Sequence, residues 1–574
     1  MSKAKSCYLR PQLPRCTKIS SSVSIALLSL LATANVQAFE ITTDNPDIKA
    51  RWDNTVKYSA SWRMEDPSSS LNAAGTGAGG ANNQDDANNN FDKGLISSRF
   101  DILSEFDLSY QSNLGLRMSA AAWYDNVYQN SNDNNSTTAN QVGPTNRFPN
   151  PTVKQAGGNV ELLDAFVYSK FDLGTMTARV NVGRHAILYG ESLFFGDNGI
   201  AGGMAPVDAN KGASVPGTQF KELMRPVEQI SGQVQINPNL TLGAYYQFKW
   251  YKTELPPAGS YFASLDVLGA GSERYMLTAT PPGFGFTRTA DIRAKNSGQG
   301  GMQLRYRPEG GDVDYGLYAI KYHEKLPQVY IRPLGIIGFL APPAGFGNPL
   351  ASPVGLDDYV HVYHEAVKSY GASFSTTVGD ANVAGEVSVR RDTSLTTAGT
   401  FDMTGTGNNR GNALYPIGNT AHAQVSSIYL LPPTALWHGG SVLGEIAWNR
   451  TTSVTSGAPD ANTTRDAWAW RGIFMPGWNQ VIGGLDLEMP IGIGYNAHGR
   501  SSAVRGFNRA YCEHCGDVSV GLNGTYLNKY KFTLNYTTYF GDENPALNPN
   551  TGVMTFDQYM KDKDFLSFSV STTF

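Results

Sequence analysis

Cysteine is scarce in this 574-residue chain: there are four, and two of them, Cys7 and Cys16, lie in an amino-terminal leader. The remaining pair, Cys512 and Cys515 in the run CEHC, is too small for a disulfide framework or a four-cysteine zinc site. In an oxidising compartment it reads first as a disulfide and second as a Cys-Glu-His-Cys metal site. Charge is also thin, at 16%, against ~25% in an average soluble domain. Long apolar runs are missing. Beyond the leader no stretch approaches the ~18 residues a membrane-spanning helix requires, and the mean hydropathy is only −0.29. A basic excess is absent too: the net charge is −4, and it becomes −9 once the five basic residues of the leader are removed, which argues against a nucleic-acid partner.

The leader has the form of a secretory signal. Lys3, Lys5, Arg10, Arg15 and Lys18 form a basic region without acids, residues 23–31 are apolar, and Val36, Gln37 and Ala38 are cleavage-site residues. Residues 1–38 are therefore expected to leave, with Phe39 starting the mature chain. Cys16 precedes the apolar core and is not placed for acylation.

What the chain has in quantity is glycine (61), tyrosine (29) and phenylalanine (26), which suit many turns and aromatic girdles, and segments in which apolar and polar residues alternate. The final ten residues, FLSFSVSTTF, set Leu566, Phe568, Val570, Thr572 and Phe574 on one side of an extended strand and mostly small hydroxyl residues on the other. The same period-two pattern begins at residues 50–63, where Trp52, Val56, Tyr58, Ala60 and Trp62 oppose Arg51, Asp53, Thr55, Lys57 and Arg63. It recurs in pairs of segments separated alternately by tight Gly/Pro/Asn/Asp turns and by long polar loops. About eighteen strands result. Residues 160–171 and 313–323 alternate poorly.

Mediocre hydropathy, alternating strands and an aromatic carboxy-terminal strand together predict an all-β fold: a closed transmembrane antiparallel β-barrel of about 18 strands, with short periplasmic turns and long extracellular loops. Closure follows from the solvent, because hydrocarbon cannot satisfy an open strand edge. Residues 39–574 form one barrel domain. A ring this wide encloses a lumen that its own wall side chains do not fill.

The lumen face mixes signs, with Arg99, Asp101, Glu105, Arg305, Arg307, Glu386 and Arg390 among its charges. These are either the wet face of a barrel, paired across strands, or a transverse field that selects solutes at a constriction. Residues 184–226 differ from the other loops: Phe194, Phe195, Met204, Val207 and Met224 stand among glycines and prolines. Such a segment is expected to fold into the barrel as a plug or constriction, or else to pack as a lid over the mouth. Its polar residues Arg184, His185, Glu191, Asp208, Lys221, Glu222 and Arg225 join the constriction candidates. The apolar loop at 331–350 reads as part of a greasy entrance.

Catalysis and metals find little support. His185, Ser192 and Asp197 are near in sequence, but YGES lacks the spacing of a nucleophile elbow, and triads assemble in space. His361 and His364 (HVYH) read as a solvated pair or, less simply, as metal ligands. Asp85, Asp86 and Asp92 read as a solvated low-complexity loop, with Ca²⁺ as the alternative. The chain is read as a non-enzyme without catalytic residues, cofactor or resident metal.

The run from Gly183, Arg184 and His185 through YGES (189–192), Phe195, Gly199 and Ile200 continues to Pro206, Val207, Asp208, VPG (215–217), KE (221–222) and RPV (225–227). Together with RWDNTVKYSASWR (51–63) and KYHEKLP (321–327), it resembles the signature of a Gram-negative outer-membrane β-barrel family long catalogued only as a domain of unknown function. That resemblance implies an association with an RND-type inner-membrane transporter and a periplasmic carrier, and a role in handling hydrophobic, steroid-like or aromatic compounds. The expected function is an outer-membrane conduit for such molecules. The alternatives are a passive porin for small polar or anionic solutes, and a surface interaction barrel. Expected partners are outer-membrane lipid, lipopolysaccharide and the barrel-insertion machinery.

Overall fold

In the computed structural model, residues 39–41, 43–72, 81–136, 139–218, 220–276, 285–333, 357–509 and 512–574 are described. The expected signal peptide, and most of the apolar loop at 331–350, lie outside them. Eighteen strands form one ring. The first six are β1 (Ile48–Arg63), β2 (Gly94–Tyr110), β3 (Leu114–Asp125), β4 (Gly158–Leu173), β5 (Met176–His185) and β6 (Val227–Asn237). The next six are β7 (Leu240–Gln247), β8 (Gln299–Tyr306), β9 (Val313–Tyr322), β10 (Val367–Val378), β11 (Ala381–Ser394) and β12 (Ile417–Leu430). The ring is completed by β13 (Gly439–Ser456), β14 (Asp466–Ile482), β15 (Leu485–Glu488 and Ile491–His498, interrupted at Pro490), β16 (Cys515–Tyr526), β17 (Tyr530–Phe540) and β18 (Phe565–Thr573). Each pairs antiparallel with its sequence neighbours, and β18 pairs with β1 from Thr55↔Thr573 to Arg63↔Phe565, which closes the sheet. The main chain of Phe574 exchanges two further bonds with Asn54, and Phe39–Ile41 continues that edge of β1 beyond it.

The alternation follows from closure. On β1, Trp52, Tyr58 and Trp62 stand on the outer face, while Lys57, Ser59, Ser61 and Arg63 are buried inside. Outward residues such as Ile102, Met118, Leu242, Met302, Leu317, Val387, Val425, Ile446 and Val520 continue an apolar band around the ring. At the short-turn end it is edged by Tyr110, Tyr306, Tyr315 and Tyr526, and towards the other end by Trp62, Tyr124, Phe248, Tyr370 and Trp468. An exposed apolar belt of that extent has hydrocarbon as its solvent.

The two poorly alternating stretches have separate causes. In β4, Met118 opposes Ala165 whereas Ala120 opposes Leu162, so one extra residue is inserted and the faces exchange. Val160 and Leu162 point outward before this bulge, Val167 and Phe171 after it. In β9 the register is regular, but Tyr318, Ile320 and Tyr322 on the inner face are apolar because they cover an apolar segment inside the ring. One turn is shorter than the sequence pattern suggests: β14 runs through PGWNQVI, leaving only Gly483 and Gly484 before β15.

The long connections are not the solvated loops that their composition predicts. Arg274–Met276, Gly285–Arg288, Gln328–Pro333, Asp357–Val362 and Thr400–Phe401 form a second, five-stranded sheet. Its core holds Phe286, Val329, Ile331 and Tyr359 on one side and Tyr330, Val360, Val362 and Tyr415 on the other. Burying each large side chain stabilises by about 1.5–3 kcal/mol, enough to order such a cap. Phe91, Tyr128, Phe148 and Tyr261 likewise tie three connections together, two of them Asn-rich. Asp85 and Asp86 are buried in this assembly rather than solvated, and Asp92 stands apart, its amide donating to Asp133. His361 and His364 are also buried rather than solvated. Val267 O and the Arg288 guanidinium occupy the ring nitrogens of His361, and Tyr415 Oη and Asp392 O those of His364.

Candidate functional site

The connection between β5 and β6, residues 186–226, bonds to inward-facing side chains on many strands of the ring. Arg184 and His185, expected to open it, are the last residues of β5 and belong to the wall. The His185 ring is held by Ser231 Oγ at 2.7 Å and by Gly183 O at 3.1 Å, so it does not meet Ser192 and Asp197 as a triad. Arg184 lies 3.7 Å from Glu161 and 3.8 Å from Glu228, with its guanidinium over the Tyr251 ring.

The first half of the segment is held by wall carboxylates that accept main-chain N–H groups. Glu386 on β11 accepts from Glu191 at 2.8 Å and from Ile200 at 2.9 Å, and its Oε1 also takes the Gln424 amide at 3.1 Å. Glu445 on β13 accepts from Leu193 at 3.1 Å, from Phe195 at 3.0 Å, and from Phe194. Successive N–H groups curved around an anion are a recognised concave binding arrangement, here with the anion supplied by the barrel. Glycine is required at two points: a Cβ at Gly190 (φ +96°) or at Gly199 would collide with the Glu386 carboxylate. Arg390 donates to the carbonyls of Asp197 (2.7 Å) and Gly199 (2.8 Å), Gln247 to that of Met204 (2.7 Å), and Lys325 to that of Gly203 (2.8 Å).

Apolar contacts complete the hold. Tyr189, Ile200 and Met204 are buried against Tyr245, Tyr318, Ile320 and Tyr322, and Phe195 against Ala447, Ala467, Ala469 and Phe507. Ile187, Leu188, Leu193 and Phe194 are only half-buried.

The second half reaches the far wall. A short helix, Ala209–Ser214, is capped by Asp208, whose carboxylate accepts the Lys211 N–H at 2.8 Å and whose burial raises its pKa. Lys211 pairs with Glu222 at 2.8 Å, and Lys221 with Glu105 of β2 at 2.7 Å. Arg225 pairs with Glu161 of β4 and, at 2.5 Å, with Glu254. Lys57 of β1 approaches Pro216 O at 3.5 Å, and a Cβ at Gly217 would lie 3.2 Å from Ser569 Oγ of β18. From β11–β13 to β1 and β18, the segment crosses the ring.

The remaining charge candidates fall into place around it. Arg99 pairs with Asp101 at 2.8 Å beneath the Trp123 ring, Arg117 links Glu105, Asp107 and Asp164, and Arg305 meets Glu191 at 3.1 Å. Arg307 lies at the β8–β9 turn, where it pairs with Asp314 away from this cluster. Sequence reasoning did not single out Gln247, Lys325, Gln424, Glu161 or Asn198. Asn198 joins Gln424, His422 and Trp448 O; its place beside Gly199 in the signature run was its only signal in the sequence. Cys512 and Cys515 are joined by a disulfide at the start of β16.

A sealed ring with an apolar outer belt, an inner face of paired charges and the first and last strands meeting at the short-turn end defines a transmembrane β-barrel of the Gram-negative outer-membrane type. The chain belongs to the DUF1302 family, described as proteins of unknown function, whose model matches residues 19–574. No curated protein matches it. Among solved structures it is similar to OpdK of Pseudomonas aeruginosa, determined with vanillate (10% identity, 92% of this chain and 98% of that one, TM-score 0.38). It is similar also to OccAB1 of Acinetobacter baumannii (8%, 94% and 98%, 0.42) and to OmpF of Salmonella typhi in complex with daunomycin (10%, 93% and 100%, 0.35).

Proposed function

We propose that this barrel is a gated, non-enzymatic conduit for hydrophobic or amphipathic small molecules, of lipid-like, steroid-like or aromatic type, serving an RND-type exporter and a periplasmic carrier. The observation that carries the gate is the bonding of residues 186–226 across the ring, with wall carboxylates on one side and Lys57, Glu105 and Glu161 on the other. A segment so placed narrows any passage, and solute moves only beside it or after it yields. The apolar character of the path is supported by the half-buried Ile187, Leu188, Leu193 and Phe194 on the segment and by the sequence signature in the same region.

A passive porin for small anions is the second reading, favoured by one observation: the paired bases Lys221 and Arg305 remain 49% and 40% exposed at their side chains. Planar-bilayer recording of the mature chain and of a variant lacking residues 190–222 separates the two. A gate gives small or rare openings in the wild type and large steady ones in the deletion. Large ohmic anion-selective openings in both support the porin. Flux of a hydrophobic fluorophore across proteoliposomes, absent in wild type and deletion alike, refutes the substrate class.

A further inference from the structure

Two connections far apart in sequence meet at three carboxylates in the cap. Asp85 and Asp86 precede and open the short helix Asp86–Asn89 between β1 and β2, and Asp266 lies between β7 and β8. Each offers a carboxylate oxygen, the three lie within 4.8 Å of one another, and the residues are 1%, 5% and 1% exposed. Acidic clusters are common, and proximity alone does not make a site. What distinguishes this one is unused bonding capacity in a place closed to water.

Asp86 uses Oδ2 to accept the Asn140 main-chain N–H at 3.1 Å, and Asp266 uses Oδ2 to accept the Asp86 N–H at 3.1 Å. The Oδ1 atom of each is buried without a hydrogen-bond partner, and so is the side-chain oxygen of Asn140, whose amide nitrogen donates to Asn83 and to Arg274 O. Native interiors rarely leave such acceptors empty; an ion is one of the standard reasons. The neighbouring cations are turned elsewhere. Arg274 donates to the carbonyls of residues 139–141, Lys563 to Ala263 O, and neither makes an ion pair with Asp86 or Asp266 among the described residues.

We propose that Asp85, Asp86 and Asp266 bind a divalent cation, Ca²⁺, which clamps the β1–β2 connection to the β7–β8 connection at the long-connection end of the barrel. The donor set is all oxygen, with no imidazole or thiolate, which selects a hard cation. Ca²⁺ accepts six to eight oxygens at ~2.3–2.6 Å in irregular geometry, so oxygens up to ~5 Å apart fit opposite sides of one ion. The clamp reaches a third connection through Asn140, and modules in this setting bind Ca²⁺ with dissociation constants of about 0.1–1 mM.

The test uses the full mature chain, refolded in lipopolysaccharide-free detergent, stripped with EGTA and titrated with CaCl₂ by calorimetry. One saturable site per chain is expected, weakened at least tenfold in Asp266→Asn and in Asp86→Asn, with heat-modifiable gel migration reporting that each variant is folded. Tb³⁺ provides a second readout: tyrosine-sensitised emission that Ca²⁺ displaces in the wild type and that is absent from either variant. Two variants on different loops keep the test decisive if one of them fails to fold. No saturable binding up to about 10 mM, well above the range of such sites, or binding equal in wild type and both variants, overturns the assignment.

Discussion

Neutralising Glu386 tests the gate most directly, because its carboxylate joins wall and segment through both oxygens. Oε2 accepts the Glu191 N–H and Oε1 the Ile200 N–H. In Glu386→Gln one oxygen becomes an NH₂ group, and a buried N–H then faces another donor. A hydrogen bond to a charged acceptor contributes about 1.5–3 kcal/mol, and a buried donor left unmade costs about 1–3 kcal/mol, so the substitution loosens the segment by roughly 2–4 kcal/mol. At 1.4 kcal/mol per tenfold, the released state gains roughly 30- to 1,000-fold in population. The barrel itself is spared, since the main-chain ladders of β11 with β10 and β12 do not involve this carboxylate. Single-channel recording should show longer dwell at high conductance, and trypsin should cut more readily at Lys211 and Lys221. Adding Glu445→Gln, which disturbs three more N–H contacts, should enlarge both effects. Ser388→Ala, on the same face of β11, should change neither. Folded Glu386→Gln/Glu445→Gln protein with wild-type conductance and wild-type proteolysis would refute the gate.

The β4 bulge predicts that Leu162→Arg and Val167→Arg both destabilise the barrel in lipid vesicles, by about 2–4 kcal/mol each near the midplane; uninterrupted alternation would expose only one of them to lipid, and urea titrations distinguish the cases. Burial lowers Lys325 to about 7 from an ordinary 10.5. The folded chain therefore binds fewer protons than the unfolded one between those values, so this contribution to stability grows as pH rises from about 7 to 10.5 and is flat below 7. Lys325→Met should remove that part of the slope in urea midpoints taken across this range. Reducing the Cys512–Cys515 bond, which closes a loop of only a few residues, should cost no more than about 2 kcal/mol by loop-closure entropy, read as a small shift in denaturant midpoint with and without reductant.

The ring was legible because one physical rule, apolar side chains outward and polar ones inward, repeats along most of the strands. It was readable from Trp52–Trp62 and again from Leu566–Phe574, the two strands that close on each other. The cap was not legible. Stretches such as QDDANNN carry no periodicity, and many of their polar groups bond to one another and to distant main chain, as Asn90 does to Gly259 O and Asn134 to Asn90. Composition reports how much a segment would like water; it is silent on whether partners from three other connections replace that water.

The interior sits between these extremes, and β9 explains why. An inner face of Tyr318, Ile320 and Tyr322 breaks the alternation that identifies a strand wetted on one side, yet the strand is regular and fully paired. The apolar residues stand there because Tyr189, Ile200 and Met204 of the inserted segment stand opposite them. Loss of period two in a barrel strand has two physical sources, an extra residue or a lumen that is locally not water, and β4 and β9 supply one each. The polar anchors leave no such trace. Glu386 and Glu445 occupy inward positions that any wet barrel would also fill with carboxylates, and what sets them apart is the pair of glycines, Gly190 and Gly199, that let main chain approach Glu386. An inward acid whose partner is a glycine-bearing segment inside the ring is therefore the feature that separates an anchor of that segment from an ordinary wall charge.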